Sequence, residues 1–331
     1  MTRIVKIKGV GRYIPPAFET AETVAARLGI SAAEILLKTG IAKRHLAGAE
    51  SASSMGQKAL LEAIDSAQIL NNQIGAIIVA TFTGDYIYPS TALKLTQLLN
   101  LKLGIAFDIM ANCSGMAVAL ENARALMLAN ESLKHVAVVG IAKQSPFINQ
   151  YDENSVLFFG DGASAIVLAK ENSEINTGLL PGNFNSHTTN YELVRLRAGG
   201  SSYPYSEELK KTDPKAFYYE HFGLGVWKEV IVELPKIIKQ TLRQLEWSTE
   251  DVDLILFHQA NLRLLEYCMA RLKMPPEKTI YNVQTIGNTA DASLGTVIYE
   301  AVKNGQMAEG KKFIFATVGA GFIYTVTPYL S

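Results

Sequence analysis

The sequence predicts a layered α/β protein built from two similar halves. Short runs rich in β-branched residues alternate with helical patterns, which is typical of layered α/β folds with largely parallel strands. The predicted strands are residues 75–80, 105–109, 135–139, 165–168, 252–257 and 313–317. The predicted helices are residues 54–70, 90–99, 114–129, 228–245 and 263–272.

The two halves repeat the same order of elements. In each half a helix and a polar linker lead into a strand, and a helix, a strand, a further helix and a last strand ending in glycine follow. That glycine is Gly140 in the first half and Gly319 in the second. The further helix starts at Cys113 in the first half and just after Asn288 in the second. A duplicated fold brings such positions near its pseudo-two-fold axis, where side chains from both halves can meet.

These patterns divide the chain into three parts. Residues 1–180 form the first half, residues 226–331 the second, and residues 181–225 an irregular segment between them. The irregular segment is rich in Gly, Ser, Asn and aromatic residues. A stretch of this length without periodicity predicts a lid or binding loop, or else a surface excursion or part of a subunit interface.

Composition excludes several classes of protein. The 331 residues include 31 basic and 31 acidic side chains, so no overall charge would draw the chain to nucleic acid or to an anionic membrane. No apolar stretch approaches the roughly 20 residues of a membrane span, and the first residues lack the apolar core of a signal peptide. The sequence has no phosphate-loop lysine, no paired Cys-x-x-Cys and no His-rich metal spacing. We therefore expect a cytoplasmic enzyme without cofactor, metal, nucleic-acid or membrane partners.

Cys113 is the candidate nucleophile. It follows the predicted strand 105–109 and precedes small residues at the start of a predicted helix. The positive end of a helix dipole favours a thiolate, and the free backbone N–H groups of the first turn can hold an oxyanion. A small buried hydrophobic residue is the alternative role, because most free cysteines are buried. Cys268 lies within a helix among apolar neighbours, which predicts a packing role.

His258 and Asn288 are the candidate partners of Cys113. His258 follows the apolar strand 252–257, at the carboxyl end where open α/β sheets build their sites. Asn288 follows Gly287 just ahead of a predicted helix, so simple helix capping is its alternative role. In the proposed duplication, all three residues lie at strand-to-helix junctions on one side of the layers.

Motifs along the chain resemble those of the thiolase-fold condensing enzymes, in particular β-ketoacyl-acyl-carrier-protein synthase III. The resemblance runs nearly from end to end, and its most specific element is the string His258-Gln-Ala-Asn-Leu-Arg263 with the later Gly287-Asn-Thr. The other matching strings are residues 9–16, residues 39–45, the Cys113 segment, residues 159–163 and residues 319–322. The resemblance implies a five-layered αβαβα fold made of two duplicated halves, a homodimer, and a Cys113–His258–Asn288 triad.

The resemblance also implies a mechanism. The Cys113 thiolate would attack an acyl thioester, and the backbone N–H groups of Cys113 and Ala320 would hold the oxyanion. A malonyl thioester would then lose CO₂ while His258 and Asn288 hydrogen-bond its carbonyl, and the carbanion would attack the acyl-cysteine. One donor of this kind is worth about 2.7–4 kcal/mol. The implied setting is natural-product, polyketide or fatty-acid-type biosynthesis.

Further residues are assigned to substrate contacts by the same resemblance. The predicted substrate-pocket residues are Tyr88, Phe159, Asn261 and Phe322. Lys228 and Arg263 stand where the family docks the acidic acyl carrier protein.

Three positions depart from the family pattern for coenzyme A. Glu34 stands where the family has a tryptophan that stacks on adenine, Glu153 where it has an arginine, and Leu224 where it has an asparagine. Loss of a stack costs about 1–3 kcal/mol by analogy with aromatic–base stacking, and an acid near phosphates adds repulsion. We therefore expect a specialised-metabolism member of the family that takes its acyl group mainly from a carrier protein.

Three alternatives stay open. A relative that moves the Cys113-bound acyl group to a hydroxyl or amine would keep the fold, although Asn288 favours condensation. A papain-like cysteine peptidase would place His258 at a suitable distance downstream, but its Cys-Gly-Ser/Ala-Cys-Trp/Tyr signature is missing. A non-catalytic chain-length partner subunit would normally lack the cysteine.

Overall fold

Strands and helices alternate along the chain in a computed structural model that describes residues 2–331. The strands are β1 (Thr2–Tyr13), β2 (Phe18–Thr20), β3 (Lys43–His45), β4 (Ala76–Ala80), β5 (Ile105–Ile109), β6 (His135–Ala142), β7 (Gly162–Ser173), β8 (Gly178–Leu179), β9 (Asn183–Ser186), β10 (Val194–Arg195), β11 (Glu220–His221), β12 (Leu254–Phe257), β13 (Lys312–Gly319) and β14 (Ile323–Leu330). The helices are α1 (Ala21–Leu28), α2 (Ala32–Thr39), α3 (Ala52–Ala67), α4 (Thr91–Leu98), α5 (Gly115–Ala129), α6 (Glu153–Val156), α7 (Glu207–Thr212), α8 (Gly223–Gln244), α9 (Leu262–Leu272), α10 (Val283–Ile286) and α11 (Ala290–Lys303).

Two five-stranded mixed sheets carry the fold. The first has the order β1-β7-β6-β4-β5, in which β6, β4 and β5 run parallel while β7 is antiparallel to both of its neighbours. The second has the order β12-β13-β14-β8, and β9 also pairs with β14. Only β12 and β13 are parallel in the second sheet. The prediction of largely parallel strands is therefore wrong, because β7 and β14 run antiparallel to all of their neighbours.

Side-chain alternation along the central strands produces five layers. In β4, Ile77 packs with α3 and α4, whereas its neighbour Ile78 packs with the central helices α5 and α11. In β12, Leu256 faces the same central helices, whereas Phe257 faces α8 and α9. Successive residues of a strand point to opposite faces, so each sheet is covered by helices on both sides. The layer order is αβαβα, which confirms the fold class that the resemblance implied.

The predicted repeat holds for the main helices but not for every strand. Between α9 and α11 the described chain forms no strand. There, side-chain hydrogen bonds join residues 279–280 to the region of β12, in place of the backbone hydrogen bonds of a paired strand. The Gln259 amide donates to the Ile280 carbonyl at 3.2 Å, and the Thr279 hydroxyl donates to the Ile255 carbonyl at 2.6 Å. In the first half, β6 continues two residues past Gly140. In the second half, β13 ends at Gly319 as predicted, but it is not the last strand because β14 follows it.

The segment 181–225 is more ordered than its sequence suggests. It contains β9, β10, β11 and α7, and β10 pairs with β11. Ion pairs hold it together, since Arg197 binds Asp213 at 2.7 Å and Glu220 at 2.6 Å. The predicted boundaries at residues 180 and 225 stay predictions.

Helix α8 covers the outer face of the second sheet. It begins at Gly223, five residues earlier than predicted, and buries Val230, Leu234 and Ile238 on one face. Its basic residues Lys228, Lys236, Lys239 and Arg243 are exposed, as in an amphipathic surface helix, whereas Glu229 accepts a hydrogen bond from Tyr324 of β14 at 3.2 Å. No helix within residues 2–331 is both long and apolar enough to span a lipid bilayer.

Candidate active site

Cys113 lies in a tight turn between β5 and α5. The residues Asn112–Ser114 form a single 3₁₀ turn, and α5 begins at Gly115, two residues later than the sequence predicts. The Asn112 side chain donates to the Ala320 carbonyl at 2.9 Å, and the Ser114 hydroxyl donates to the Ile323 carbonyl at 2.9 Å. These bonds tie the half-buried Cys113 to the connection between β13 and β14.

The β13–β14 connection lies directly against the Cys113 turn. A Cβ atom on Gly319 would lie 2.5 Å from the Ala111 carbonyl oxygen, so a glycine is required at this approach. Ala320 follows Gly319, and no backbone hydrogen bond within residues 2–331 uses its N–H group. That N–H group and the Cys113 N–H group are the predicted oxyanion donors.

His258 follows β12 directly and is buried. Its backbone N–H donates to the Ala316 carbonyl at 2.9 Å, and its Nδ1 atom is hydrogen-bonded to the Ser293 hydroxyl. The Ser293 oxygen also accepts from the Gln259 N–H at 3.2 Å. Burial lowers the pKa of His258 to about 3, so the imidazole is neutral at physiological pH. Because a hydroxyl can donate or accept, Ser293 suits either neutral tautomer of His258.

Asn288 is held by both its backbone and its side chain. Its N–H donates to the Phe158 carbonyl at 2.9 Å, and its carbonyl accepts from Gly160 N–H and Gln144 Nε2, each at 2.9 Å. Its Oδ1 atom accepts from the Ala290 N–H at 2.9 Å. The capping alternative is thus realised at the start of α11. With Oδ1 engaged, Nδ2 is the group that the side chain can offer to a ligand.

The first turn of α11 connects the three candidate residues. Asn288 precedes the helix, and Ser293 within it binds His258. Asp291 lies against Gly115, where a Cβ atom would sit 2.2 Å from the Asp291 Oδ1 atom, and Gly115 is two residues from Cys113. Strand-to-helix junctions from both sheets therefore converge on one helix start.

Asp291 is a buried carboxyl that the sequence analysis missed. It is 1% exposed, and neither of its oxygens has a hydrogen-bond partner in the described chain. Burial raises its pKa well above the usual range of aspartate, which favours the neutral acid. The one available signal was an acidic residue in the otherwise small and apolar run 290–295.

The thiol of Cys113 does not have the lowered pKa that its place near a helix start predicted. Burial is the main cause that raises the pKa of Cys113, and an ionised Asp291 would raise it further. The interaction with its own backbone N–H acts in the opposite direction but is the smaller effect. Desolvation of the thiolate therefore outweighs the helix dipole at this position.

The predicted pocket residues occupy different environments. Phe159 is buried and its backbone bridges to Asn288, next to the site. Phe322 is buried and stacks on Tyr324 with ring centroids 6.3 Å apart. Tyr88 is 84% exposed on the loop before α4, so it is not enclosed within a single chain.

Asn261 has a structural role that its assignment to the pocket did not include. Its side chain caps α9 by accepting from the N–H groups of Arg263, at 2.8 Å, and Leu264, at 3.3 Å. Its Nδ2 atom donates to the Lys38 carbonyl at 3.3 Å. These three bonds use the amide to join α9 to the end of α2.

The two predicted docking residues also differ. Lys228 is exposed on α8. The Arg263 guanidinium donates to the carbonyls of Leu36, at 3.1 Å, and Leu37, at 3.2 Å, and pairs with Glu266 at 3.0 Å. Arg263 thus also binds the carboxyl end of α2, and part of its charge is neutralised.

The two acidic residues that depart from the family pattern share one lysine. Glu34 lies 2.8 Å and Glu153 lies 3.3 Å from the Lys38 ammonium group. Leu224, the third departure, is exposed at the start of α8. Two carboxylates with one ammonium group leave this surface negative.

Two family models match the chain. The model described as 3-oxoacyl-[acyl-carrier-protein] synthase III matches residues 107–187, and the model of its C-terminal part matches residues 242–328. The β-ketoacyl-[acyl-carrier-protein] synthase III of Methylococcus capsulatus is 33% identical over 325 residues, which cover 98% of each chain. The synthase III of Campylobacter fetus is 33% identical over 319 residues, which cover 96% of this chain and 95% of the relative. The chain belongs to the β-ketoacyl-acyl-carrier-protein synthase III family.

Solved structures agree with this assignment. The synthase III structure from Pseudomonas aeruginosa has a TM-score of 0.88 at 26% identity and covers 99% of this synthase and 98% of its own chain. The synthase III structure from Aquifex aeolicus has a TM-score of 0.88 at 28% identity, with coverage of 99% and 100%. OleA from Xanthomonas campestris, at 20% identity and a TM-score of 0.85 with coverage of 99% of both chains, shares the fold. The synthase is therefore a thiolase-fold condensing enzyme of the acyltransferase class, and the peptidase alternative is wrong.

Asp291→Asn should change the rate of alkylation of Cys113 by iodoacetamide at about pH 8 by less than about twofold. Burial favours the neutral acid at Asp291, so the substitution removes no charge and the pKa of the thiol stays raised by its own burial. The rate is measured by mass spectrometry of the Cys113 peptide. Glu121→Gln is the control, because it removes a carboxylate of α5 that pairs with Arg124. A rate about tenfold higher in Asp291→Asn than in wild type would show that Asp291 is charged and would contradict the assignment.

Proposed function

We propose that the synthase condenses an acyl group held on Cys113 with a malonyl-type thioester, using His258 and Asn288 as the hydrogen-bond donors. The observation that carries the proposal is the start of α11, which binds His258 through Ser293, follows Asn288 and faces the Cys113 turn through Asp291. Two neutral donors beside a nucleophile suit a reaction in which negative charge develops on a thioester oxygen.

The first half-reaction is acyl transfer to Cys113. The sulfur attacks the carbonyl carbon of the donor thioester, and the N–H groups of Cys113 and Ala320 stabilise the oxyanion. A carbon–sulfur bond to Cys113 forms, the bond to the donor sulfur breaks, and the donor leaves as a thiol. Because Cys113 rests as a thiol, its proton passes to the neutral His258 during the attack and then to the leaving sulfur.

The second half-reaction forms the carbon–carbon bond. The malonyl carboxylate leaves as CO₂, and its electron pair forms an enolate whose oxygen accepts hydrogen bonds from His258 Nε2 and Asn288 Nδ2. The enolate carbon attacks the acyl carbonyl and releases Cys113 as a thiolate, which takes up a proton from solvent. His258 acts here as the Nε2–H tautomer, for which the Ser293 hydroxyl donates to Nδ1. In the first half-reaction the Nδ1–H tautomer, which donates to Ser293, takes the Cys113 proton at Nε2, so the two tautomers exchange between the half-reactions.

The acyl donor is proposed to be a carrier protein rather than coenzyme A. Glu34 and Glu153 occupy the positions at which the family binds adenine, and both are paired with Lys38. A negative surface without an aromatic platform disfavours a nucleotide that carries phosphates. The exposed Lys228 and the partly exposed Arg263 are the proposed contacts for an acidic carrier protein.

A homodimer is proposed from the exposed edge of the first sheet. Strand β5 ends the sheet order, so its outer edge has no partner strand within residues 2–331. Beside this edge, Tyr86, Ile87 and Tyr88 are exposed on the loop before α4, and Met110 is exposed just after β5. An apolar patch of this kind next to an unpaired edge strand favours pairing with a second copy. Tyr88 would then be available to the substrate pocket of the partner.

The predicted division of the chain and its cytoplasmic location stay proposals. Both cysteines are free, with Cys113 half-buried and Cys268 on the buried face of α9. Two unpaired thiols suit a reducing compartment.

Asn288→Ala should separate the two half-reactions. Acylation of Cys113 should stay within a few-fold of wild type, whereas CO₂ release from the malonyl thioester should fall about 10²- to 10³-fold through loss of one oxyanion donor. Intact-protein mass spectrometry follows the first step and CO₂ release the second.

Because the pKa of His258 is about 3, CO₂ release by the wild-type enzyme should stay level as the pH falls from about 8 to about 5.

Controls make this result specific. Cys113→Ala should give no adduct, and Asn304→Ala, an exposed asparagine after α11, should leave both steps unchanged. An adduct in wild type that an alcohol or amine discharges, but a malonyl thioester does not, would favour the alternative acyltransferase.

Glu34→Trp combined with Glu153→Arg should raise the rate of acylation from acyl-coenzyme A by about tenfold or more, because one restored base stack is worth about 1–3 kcal/mol. The rate from the same acyl group on a carrier protein should not rise. Glu171→Arg, an exposed charge reversal on β7, is the control for general charge effects. Faster acylation of wild type from coenzyme A than from the carrier at equal concentration would contradict the carrier proposal.

Ile87→Asp should weaken the dimer by about tenfold or more in dissociation constant, because a charge would replace a buried interface anchor. Light scattering should give wild type twice the 36.1 kDa of one chain. Leu70→Asp, another exposed apolar residue, lies on a different surface and should leave the dimer intact. A monomeric wild type at micromolar concentration would contradict the proposal.

A further inference from the structure

Tyr219 carries a buried hydroxyl group that the proposed mechanism does not use. The residue is 8% exposed and lies just before β11, near the end of the irregular segment. Its backbone N–H donates to the Phe147 carbonyl at 2.9 Å, but its hydroxyl has no hydrogen-bond partner in the described chain. A buried hydroxyl without a partner destabilises the fold, so its presence at this position needs a cause.

Packing alone does not supply that cause. The Tyr219 ring lies edge-on to Phe159 at a centroid distance of 5.5 Å, stacks on Phe147 at 6.0 Å and is tilted against Phe82 at 6.3 Å. A phenylalanine would make the same three ring contacts without burying a hydroxyl. The contacts therefore fix where the hydroxyl lies but do not require it.

The Tyr219 ring lies beside the residues that flank Asn288. It packs on Phe159, whose backbone bridges to Asn288. Burial raises the pKa of Tyr219 well above its usual value. The phenol therefore keeps its proton and can act as a donor.

We propose that Tyr219 donates a hydrogen bond to an oxygen on the acyl chain, so that the synthase selects oxoacyl or hydroxyacyl groups over saturated ones. The inference rests on the proposed acyl-Cys113 intermediate. Because Tyr219 packs on Phe159 beside Asn288, the oxygen belongs close to the thioester, and carbon 3 of the acyl chain is the position to test. A site that hydrogen-bonds a substrate oxygen discriminates strongly against the analogue that lacks it, since its own polar group is then left unpaired.

The test compares three donors on one carrier protein: 3-oxooctanoyl, 3-hydroxyoctanoyl and octanoyl thioesters. Acylation of Cys113 is followed by intact-protein mass spectrometry without malonyl thioester, and kcat/KM is compared among the donors. Wild type should prefer at least one oxygenated donor over octanoyl by about 10- to 100-fold, and Tyr219→Phe should remove most of that preference. The two oxygenated donors distinguish a carbonyl acceptor from a hydroxyl.

Tyr218→Phe is the matched control, because it removes the hydroxyl of the adjacent, more exposed tyrosine. Ratios between donors within one preparation are independent of the fraction of folded enzyme. Equal rates with all three donors in wild type, or an unchanged preference in Tyr219→Phe, would overturn this inference but would leave the proposed function unaffected. A Tyr219→Phe variant that changes only CO₂ release from the malonyl thioester would also overturn it, because the hydroxyl would then serve the extender. If no donor acylates Cys113, the proposed function fails together with the inference.

Discussion

The close packing of α11 against the first sheet and against α5 is the constraint on which the site depends. A Cβ atom on Gly140 of β6 would lie 2.3 Å from the Asp291 carbonyl oxygen, and a Cβ atom on Gly295 would lie 2.1 Å from the hydroxyl oxygen of Ser164 on β7. These two glycines let α11 lie close to the first sheet, and Gly115 lets α5 and α11 begin side by side between the sheets. Cys113 precedes one of these helices, and the groups that hold His258 and supply Asn288 belong to the start of the other. A larger side chain at the contact would separate the nucleophile from its donors.

Burial keeps the ionisable groups around the site uncharged. It lowers the pKa of His258 and raises the pKa values of Cys113 and Asp291, so the neutral form of each group is favoured. Hydrogen-bond donors act strongly on a developing oxyanion when water is excluded and no fixed negative charge competes for them. The site therefore suits a reaction in which negative charge develops on a substrate oxygen and is lost again within the same step.

The elements that the sequence predicts are those whose pattern of apolar residues lies within the element itself. Strands β4 and β12 are recognisable because all of their residues are apolar. His258 stands out because it follows β12, and Cys113 because it lies between the predicted strand β5 and small residues at a helix start. Strand β14 was missed, since Pro328 lies within a run that reads poorly as a strand, and its pairing with β13 makes the sheet mixed.

Contacts between distant parts of the chain could not be predicted. Ser293 meets His258 across 35 positions, and no pattern in the sequence indicates that contact. The burial of Asp291 and Tyr219 likewise depends on helices and loops packed from elsewhere in the chain. The triad was singled out by the junctions it occupies and by family resemblance, whereas the groups that surround it appear only once the layers are assembled.

The resting enzyme holds its nucleophile in a form that resists oxidation. Peroxides convert thiolates, and not thiols, rapidly to sulfenic acid. Cys113 has a raised pKa, and the partner of His258 is the Ser293 hydroxyl rather than a carboxylate that would stabilise an imidazolium. A standing thiolate–imidazolium pair is therefore disfavoured before the thioester arrives. The sulfur becomes strongly nucleophilic only during acyl transfer, so an idle enzyme should survive oxidative stress that inactivates enzymes with a permanent thiolate.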